Sequence, residues 1–151
     1  MDENSGKKIT DLVQELLQQL EVAGSVVLEE KDGAMLVKIE TAEPGALIGH
    51  HGRSLEAIQV LLGQMLYKDS GVWTRLLVTV GDYRERREQQ LKEMADRAAD
   101  QVLASQTEVA LDNLSPADRR VIHLHFSEHP RLVSESTGEG RYRRLVIKPK
   151  A

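Results

Sequence analysis

Cysteine is absent from the 151 residues. That excludes a disulfide framework, a thiolate metal site and a cysteine nucleophile, and it fits a reducing compartment. Aromatic residues make up 3% of the chain, too few for a sheet-borne platform on which several bases stack; Trp73 and Phe126 read as core residues. Residues 1–8 are polar and lack the basic-then-apolar pattern of a secretory leader, and no apolar run approaches the roughly 20 residues that cross a bilayer. A soluble cytoplasmic protein is expected. Internal repeats and low-complexity linkers are missing too. What is present is ordinary globular material, 40% hydrophobic and 29% charged, enough for one medium domain or two small ones.

The net charge of −4 conceals an uneven distribution. Residues 1–82 carry 7 basic and 13 acidic side chains, residues 83–151 carry 13 and 11, and residues 113–151 carry 8 and 4. Five of those last bases fall between Arg141 and Lys150. Because salt screens charge within about 10 Å, the local excess matters more to an anionic ligand than the sum.

Ile9, Leu12, Val13, Leu16, Leu17 and Leu20 recur at helical spacing, which predicts a helix over 9–21. Two β-prone runs, 25–30 and 34–40, flank Asp32-Gly33, a hairpin signal. Pro44 opens a short helix that ends before Gly49-His50-His51-Gly52, and a longer helix follows from Arg53 with Leu55, Ile58, Leu62 and Met65 on one face. The run 73–80 alternates as a third strand, so 9–80 reads α-β-β-α-α-β. Asp82 and Glu85 resemble a cap and its partner at the start of a long connecting helix, 83–106, whose inner face carries Leu91, Ala95, Ala98 and Val102. A strand at 108–112, a helix from Ser115-Pro116 to Glu128 and a hairpin of 131–137 with 142–148 complete the chain.

Gly49-His50-His51-Gly52 sits between two helices. Two glycines let the backbone turn tightly and approach a phosphate, and the amides that open the next helix point at the anion; the bland alternative is a simple helix-to-helix turn. Leu47, Ile48, Ala57 and Ile58 are candidates to line an apolar groove beside it.

The segment Ala46-Leu47-Ile48-Gly49-His50-His51-Gly52-Arg53-Ser54-Leu55 resembles the IGxxG segment of a type II KH domain, a module that clamps about four nucleotides at that loop. Arg119-Arg120-Val121-Ile122-His123 resembles the motif of the R-three-H domain, an Arg and a His separated by three residues, and Ser136 to Ile147 resembles the glycine-containing hairpin that follows it in Jag-type proteins. Between the glycines, where Jag-type loops commonly carry Lys or Arg, this chain has two histidines. The pair of motifs in this order points to the bacterial Jag-type family. The resemblance implies an α+β chain: a disordered tail at 1–8, a type II KH domain at 9–82, and a long helix leading into a small α/β R-three-H domain at 83–151 with an antiparallel three-stranded sheet.

It also implies single-stranded RNA as ligand, with single-stranded DNA as a variant, and links to post-transcriptional control, cell elongation and division. The KH contacts would be Ile48, Gly49, His50, His51, Gly52 and Arg53. Arg119 and His123 share a helix face, so both can meet one phosphate or base. The alternative for Arg119 is an ion pair with Asp118, Glu128 or Glu135, and for His123 a buried role fixing helix to sheet. Arg141, Arg143, Arg144 and Lys148 form a phosphate track or a solvated basic strand. Strand alternation would put Arg144 and Lys148 on one face and Arg143 on the other, and Tyr142 is the one aromatic placed to stack on a base.

His125 and His129 lack a third ligand at workable spacing, so no metal is expected, and neither a cofactor nor a small-molecule substrate is indicated. No catalytic constellation is legible, so an enzyme is not expected. The competing reading is an interaction adaptor that pairs with a small single-domain KH protein, motivated by the acidic first half.

Overall fold

The computed structural model describes residues 3–151, and the chain divides into two compact units, Met1–Arg84 and Glu85–Ala151. The first unit contains α1 (Glu3–Gln19), β1 (Gly24–Lys31), β2 (Ala34–Thr41), α2 (Pro44–Ile48), α3 (Arg53–Ser70) and β3 (Leu76–Val80). Helix α1 starts ahead of the apolar spacing, so residues 3–8, assigned from sequence to a disordered tail, are helical; the first two residues of that tail lie outside the described residues. Ile9, Val13 and Leu17 anchor the helix in the core, and once it is nucleated each added residue costs little. Glu3 suits the positive end of the dipole, and Lys8 pairs with Asp69 of α3 at 3.3 Å.

The hairpin between β1 and β2 turns through Asp32 (φ 51°) and Gly33 (φ 72°), the two left-handed residues a tight hairpin needs. β1 runs antiparallel to β2, and β2 parallel to β3, with the order β1-β2-β3. Val37, Val78, Leu47, Leu62 and Val13 meet in a core sealed from solvent. The third strand is shorter than the sequence suggests. Its pairing with β2 begins at Met35 opposite Leu76, with the Met35 amide donating to the Arg75 carbonyl at 2.8 Å, so 73 and 74 lie beyond the ladder. Trp73 therefore neither opens a strand nor enters the core; it is 66% exposed, its ring 6.1 Å from that of Tyr67.

The second unit contains α4 (Tyr83–Ser105) from Glu85 onward, β4 (Val109–Leu111), α5 (Pro116–Phe126), β5 (Leu132–Thr137) and β6 (Arg144–Pro149). Its sheet is antiparallel with order β4-β6-β5. Leu91, Ala95, Ala98 and Val102 of α4 pack with Ile122, Phe126, Leu132, Leu145 and Ile147. Ser115 caps α5 through a reciprocal pair with Asp118, a device that satisfies two orphan donors at once. The second arm of the hairpin begins at Arg144 rather than at Tyr142, because Gly140–Tyr142 close a 3₁₀ turn in the connection. Among the described residues, no helix is long and apolar enough to cross a membrane.

Candidate nucleic-acid interface

Helix α2 stops because Gly49 takes φ 67° and ψ −165°, a conformation only glycine adopts without strain. A Cβ there would lie 2.2 Å from Ser54 Oγ. His51 (φ 53°, ψ 31°) and Gly52 (φ 79°, ψ 9°) then turn the chain through the left-handed region into α3. Gly52 is buried, and a Cβ on it would come within 2.7 Å of the Tyr83 hydroxyl. The tetrapeptide thus carries two exposed imidazoles, stacked with centroids 4.0 Å apart and planes at 21°. Among the described residues no side chain caps α3, and the backbone N–H of exposed Arg53 at its first position donates to the His50 carbonyl, so what the helix start offers an anion is the positive end of its dipole beside the Arg53 guanidinium.

The apolar groove expected beside this loop is only half there. Leu47 and Ile48 are 1% and 9% exposed and belong to the core, because the short α2 turns its last residues inward to hold the loop from beneath. Ile48 thus packs with the core directly beneath the loop. Exposed Ala57 and half-buried Ile58 remain on the face of α3.

In the second unit, α5 contributes Pro116, Arg119, Arg120, His123, Leu124 and Ser127 to an open cleft completed by Ser136 and Arg143. Among the described residues no carboxylate lines it. Arg119 donates from Nη1 to the Leu114 carbonyl at 2.9 Å. Two of the acids weighed as its partners are engaged elsewhere: Asp118 with Arg87 at 2.7 Å and Glu135 with Lys148 at 2.5 Å. His123 is held at both nitrogens, Nδ1 to Ser134 Oγ at 2.7 Å and Nε2 to Ser136 Oγ at 2.9 Å. Burial, then the charges of Arg119 and Arg143, hold its pKa below the ordinary histidine value, so the neutral ring donates from one nitrogen and accepts at the other. The imidazole is a clamp between α5 and β5 that also borders the cleft.

A second cleft is lined by Asp112, Asn113, Thr137, Gly138, Arg141, Tyr142, Arg143 and Arg144. Arg143 lines both clefts. It precedes β6 instead of alternating within it, and its guanidinium donates to the Gly138 carbonyl at 3.2 Å. Arg144 and Lys148 do share the face of β6 that alternates with buried Leu145 and Ile147. Lys148, however, lines neither cleft and is bound to Glu135 across the hairpin, which lowers that carboxyl's pKa and raises the lysine's.

Sequence reasoning missed Arg120, Ser127 and Ser136. The signal for the first two was available, since 116, 119, 120, 123, 124 and 127 mark one face of a helix. The other two histidines of this unit serve local structure: His125 bonds Asp96 at 2.7 Å, and His129 Nδ1 accepts from the amides of Arg131 and Leu132.

The KH domain model matches residues 7–81 and the R-three-H domain model residues 89–149. Three relatives share the name RNA-binding protein KhpB. That of Clostridium symbiosum is 28% identical over 142 residues, 93% of this chain and 64% of its own. That of Lactiplantibacillus plantarum is 26% identical over 146 residues, 97% of this chain and 45% of its own. That of Streptococcus pneumoniae is 28% identical over 145 residues, 96% of this chain and 44% of its own. The chain spans only part of the length of these relatives. With both matches in sequence on the two folded units, the chain belongs to the Jag-type family, in which a KH domain is followed by an R-three-H domain.

Proposed function

We propose that this protein binds single-stranded RNA, the KH loop at Gly49-His50-His51-Gly52 clamping the backbone and the arginines of the second unit adding electrostatic affinity, and that it acts as a post-transcriptional regulator linked to cell elongation or division. The observation that carries the reading is the cleft of Arg119, Arg120, His123 and Arg143, which no carboxylate lines. Three arginines lining one cleft with no carboxylate among its lining residues suit a phosphate backbone. The positive end of the α3 dipole at the Gly49–Gly52 loop and the relatives named RNA-binding protein KhpB support the same ligand. Two modest sites on one chain reinforce each other if one strand reaches both. Single-stranded DNA offers the same phosphates and is the natural competitor.

The test is fluorescence anisotropy of a short single-stranded RNA with the full chain. Wild type binds and weakens steeply with salt, His50→Asp/His51→Asp and Arg119→Ala/Arg143→Ala each weaken binding, and circular dichroism shows both variants folded. Absence of binding in wild type, or a salt-independent affinity, rejects the reading.

A second reading is an adaptor that pairs with a small KH protein. It rests on an exposed apolar strip in the first unit, where Val60, Tyr67, Val72 and Trp73 are each more than half exposed. Partner co-purification that survives nuclease, and is lost in Val60→Glu/Tyr67→Glu, supports it; loss of every partner on nuclease treatment counts against it.

A further inference from the structure

We infer that the cleft between the 112–113 turn and the 138–143 connection is a base-reading pocket, with Asp112 as the reader and Tyr142 as the stacking surface, and that it prefers guanine. The inference rests on the RNA-binding reading and adds base specificity to it.

The connection is built to be rigid. Gly138 takes φ 86°, and a Cβ on it would meet the Tyr142 carbonyl at 3.0 Å and Arg143 Cα at 3.4 Å. The 3₁₀ turn is closed by Tyr142 N–H to Glu139 O and Arg143 N–H to Gly140 O, both 3.2 Å, and the Arg143 guanidinium ties back to Gly138 O. This rigid loop holds the Tyr142 ring 82% exposed, with no ring contact among the described residues. An ordered aromatic surface that covers nothing of its own fold is suited to stack on a nucleobase, which offers a π-face whatever its identity.

Asp112 supplies selectivity. It borders a cleft with Arg141, Arg143 and Arg144, yet its carboxylate forms no hydrogen bond or ion pair among the described residues. A carboxylate repels phosphate, so it has no place in a pure phosphate track. Its two oxygens match paired N–H donors. Guanine presents two side by side, at N1 and N2, on its Watson–Crick edge. Cytosine and adenine present one exocyclic amine, and uracil presents one N–H between two carbonyls that oppose the carboxylate. Arg143, shared with the carboxylate-free cleft, then sits between a phosphate subsite and a base subsite. The two clefts differ in charge for that reason.

The experiment compares the affinity of the full chain for a five-nucleotide RNA of uridines alone with the same RNA carrying one central guanosine, in wild type, Asp112→Ala, Tyr142→Ala and Arg119→Ala. Wild type favours the guanosine oligomer by about tenfold, as one bidentate base contact does elsewhere. Asp112→Ala binds both oligomers equally, holding or raising the uridine affinity because a negative charge has left an arginine-lined cleft. Tyr142→Ala weakens both by about five- to tenfold, the effect of losing one stacking partner. Arg119→Ala weakens both and keeps the ratio. A wild type that binds RNA without guanosine preference, or an Asp112→Ala variant that retains it, overturns the base pocket and leaves RNA binding standing. A wild type that binds neither oligomer overturns both.

Discussion

Arg87 of α4 grips Asp118 of α5 with two nitrogens, Nη2 to Oδ2 at 2.7 Å and Nε to Oδ1 at 3.3 Å, and the two side chains are only 12% and 8% exposed. The same carboxylate accepts from the Ser115 amide at 3.3 Å while Ser115 Oγ accepts from the Asp118 amide at 3.1 Å. One buried group therefore fixes the start of the helix that carries Arg119 and His123, and fixes it against α4. Asp118→Ala leaves a buried guanidinium without this partner and removes half of the cap, so a loss of about 3–5 kcal/mol is expected. Arg87→Met/Asp118→Leu, which removes both charges, recovers most of that loss. Urea midpoints at constant m value measure both; equal stability of the single and double variants would show that the pair is not what matters.

Gly49 gives a second prediction. Its backbone lies in the region reserved for glycine, and a Cβ would collide with Ser54 Cβ at 2.7 Å as well as with the hydroxyl. Turning the serine rotamer moves only the hydroxyl, so Gly49→Ala costs about 1–3 kcal/mol and abolishes RNA binding through the loop. Gly45, four residues earlier and inside α2, has nothing within 4 Å of an added Cβ. Gly45→Ala stabilises by about 0.5–1 kcal/mol and leaves binding intact. Thermal melts and anisotropy on the two variants separate backbone strain from any general intolerance of substitution in this segment.

Periodicity was a good guide wherever a segment's partner lay close in sequence. The spacing of Leu91, Ala95, Ala98 and Val102, the Asp32-Gly33 turn and the Ser115-Pro116 start all encode local geometry, and each element stands where that geometry puts it. Trp73 and Glu3 failed for opposite reasons. Trp73 looks like strand until the parallel register with β2 leaves it beyond the ladder, and Glu3 looks like tail until propagation from an anchored helix and the Lys8–Asp69 pair extend order to it. At the site, the motif residues named Arg119 and His123, but no spacing could reveal that Asp118 is taken by Arg87, thirty-one positions away, or that two serines of β5 hold the imidazole.

Lys148 and Arg143 are both cationic and close in sequence, yet a different outcome is expected for each. Lys148 is already satisfied by Glu135 at 2.5 Å in an exposed pair, and such pairs contribute little to folding. Lys148→Ala leaves the RNA affinity and its salt dependence nearly unchanged. Arg143→Ala and Arg119→Ala each reduce the slope of log affinity against log salt by about one. A Lys148→Ala effect as large as that of Arg143→Ala would place the phosphate path along β6 instead of through the clefts.

His123 connects stability to binding. Burial and the neighbouring charges of Arg119 and Arg143 lower its pKa in the folded protein, so the folded state holds fewer protons than the unfolded chain at mildly acidic pH. Its contribution to stability is complete above the unfolded value of about 6.5, falls as pH drops below that value, and stops falling once the folded imidazole is itself protonated. The informative quantity is the difference between wild type and His123→Gln, a neutral residue able to donate and accept. Between pH 7.5 and 5.5 wild type loses more of its urea midpoint than the variant. Binding has the opposite sign. A phosphate bound between Arg119 and Arg143 offsets the charges that keep the ring neutral, so RNA raises the pKa of His123, protons are taken up on binding, and affinity rises as pH falls. His123→Gln removes that share of the pH dependence while keeping the cleft. Equal pH profiles for the two proteins, in stability and in binding alike, would leave His123 as a clamp between α5 and β5 with no electrostatic link to the ligand.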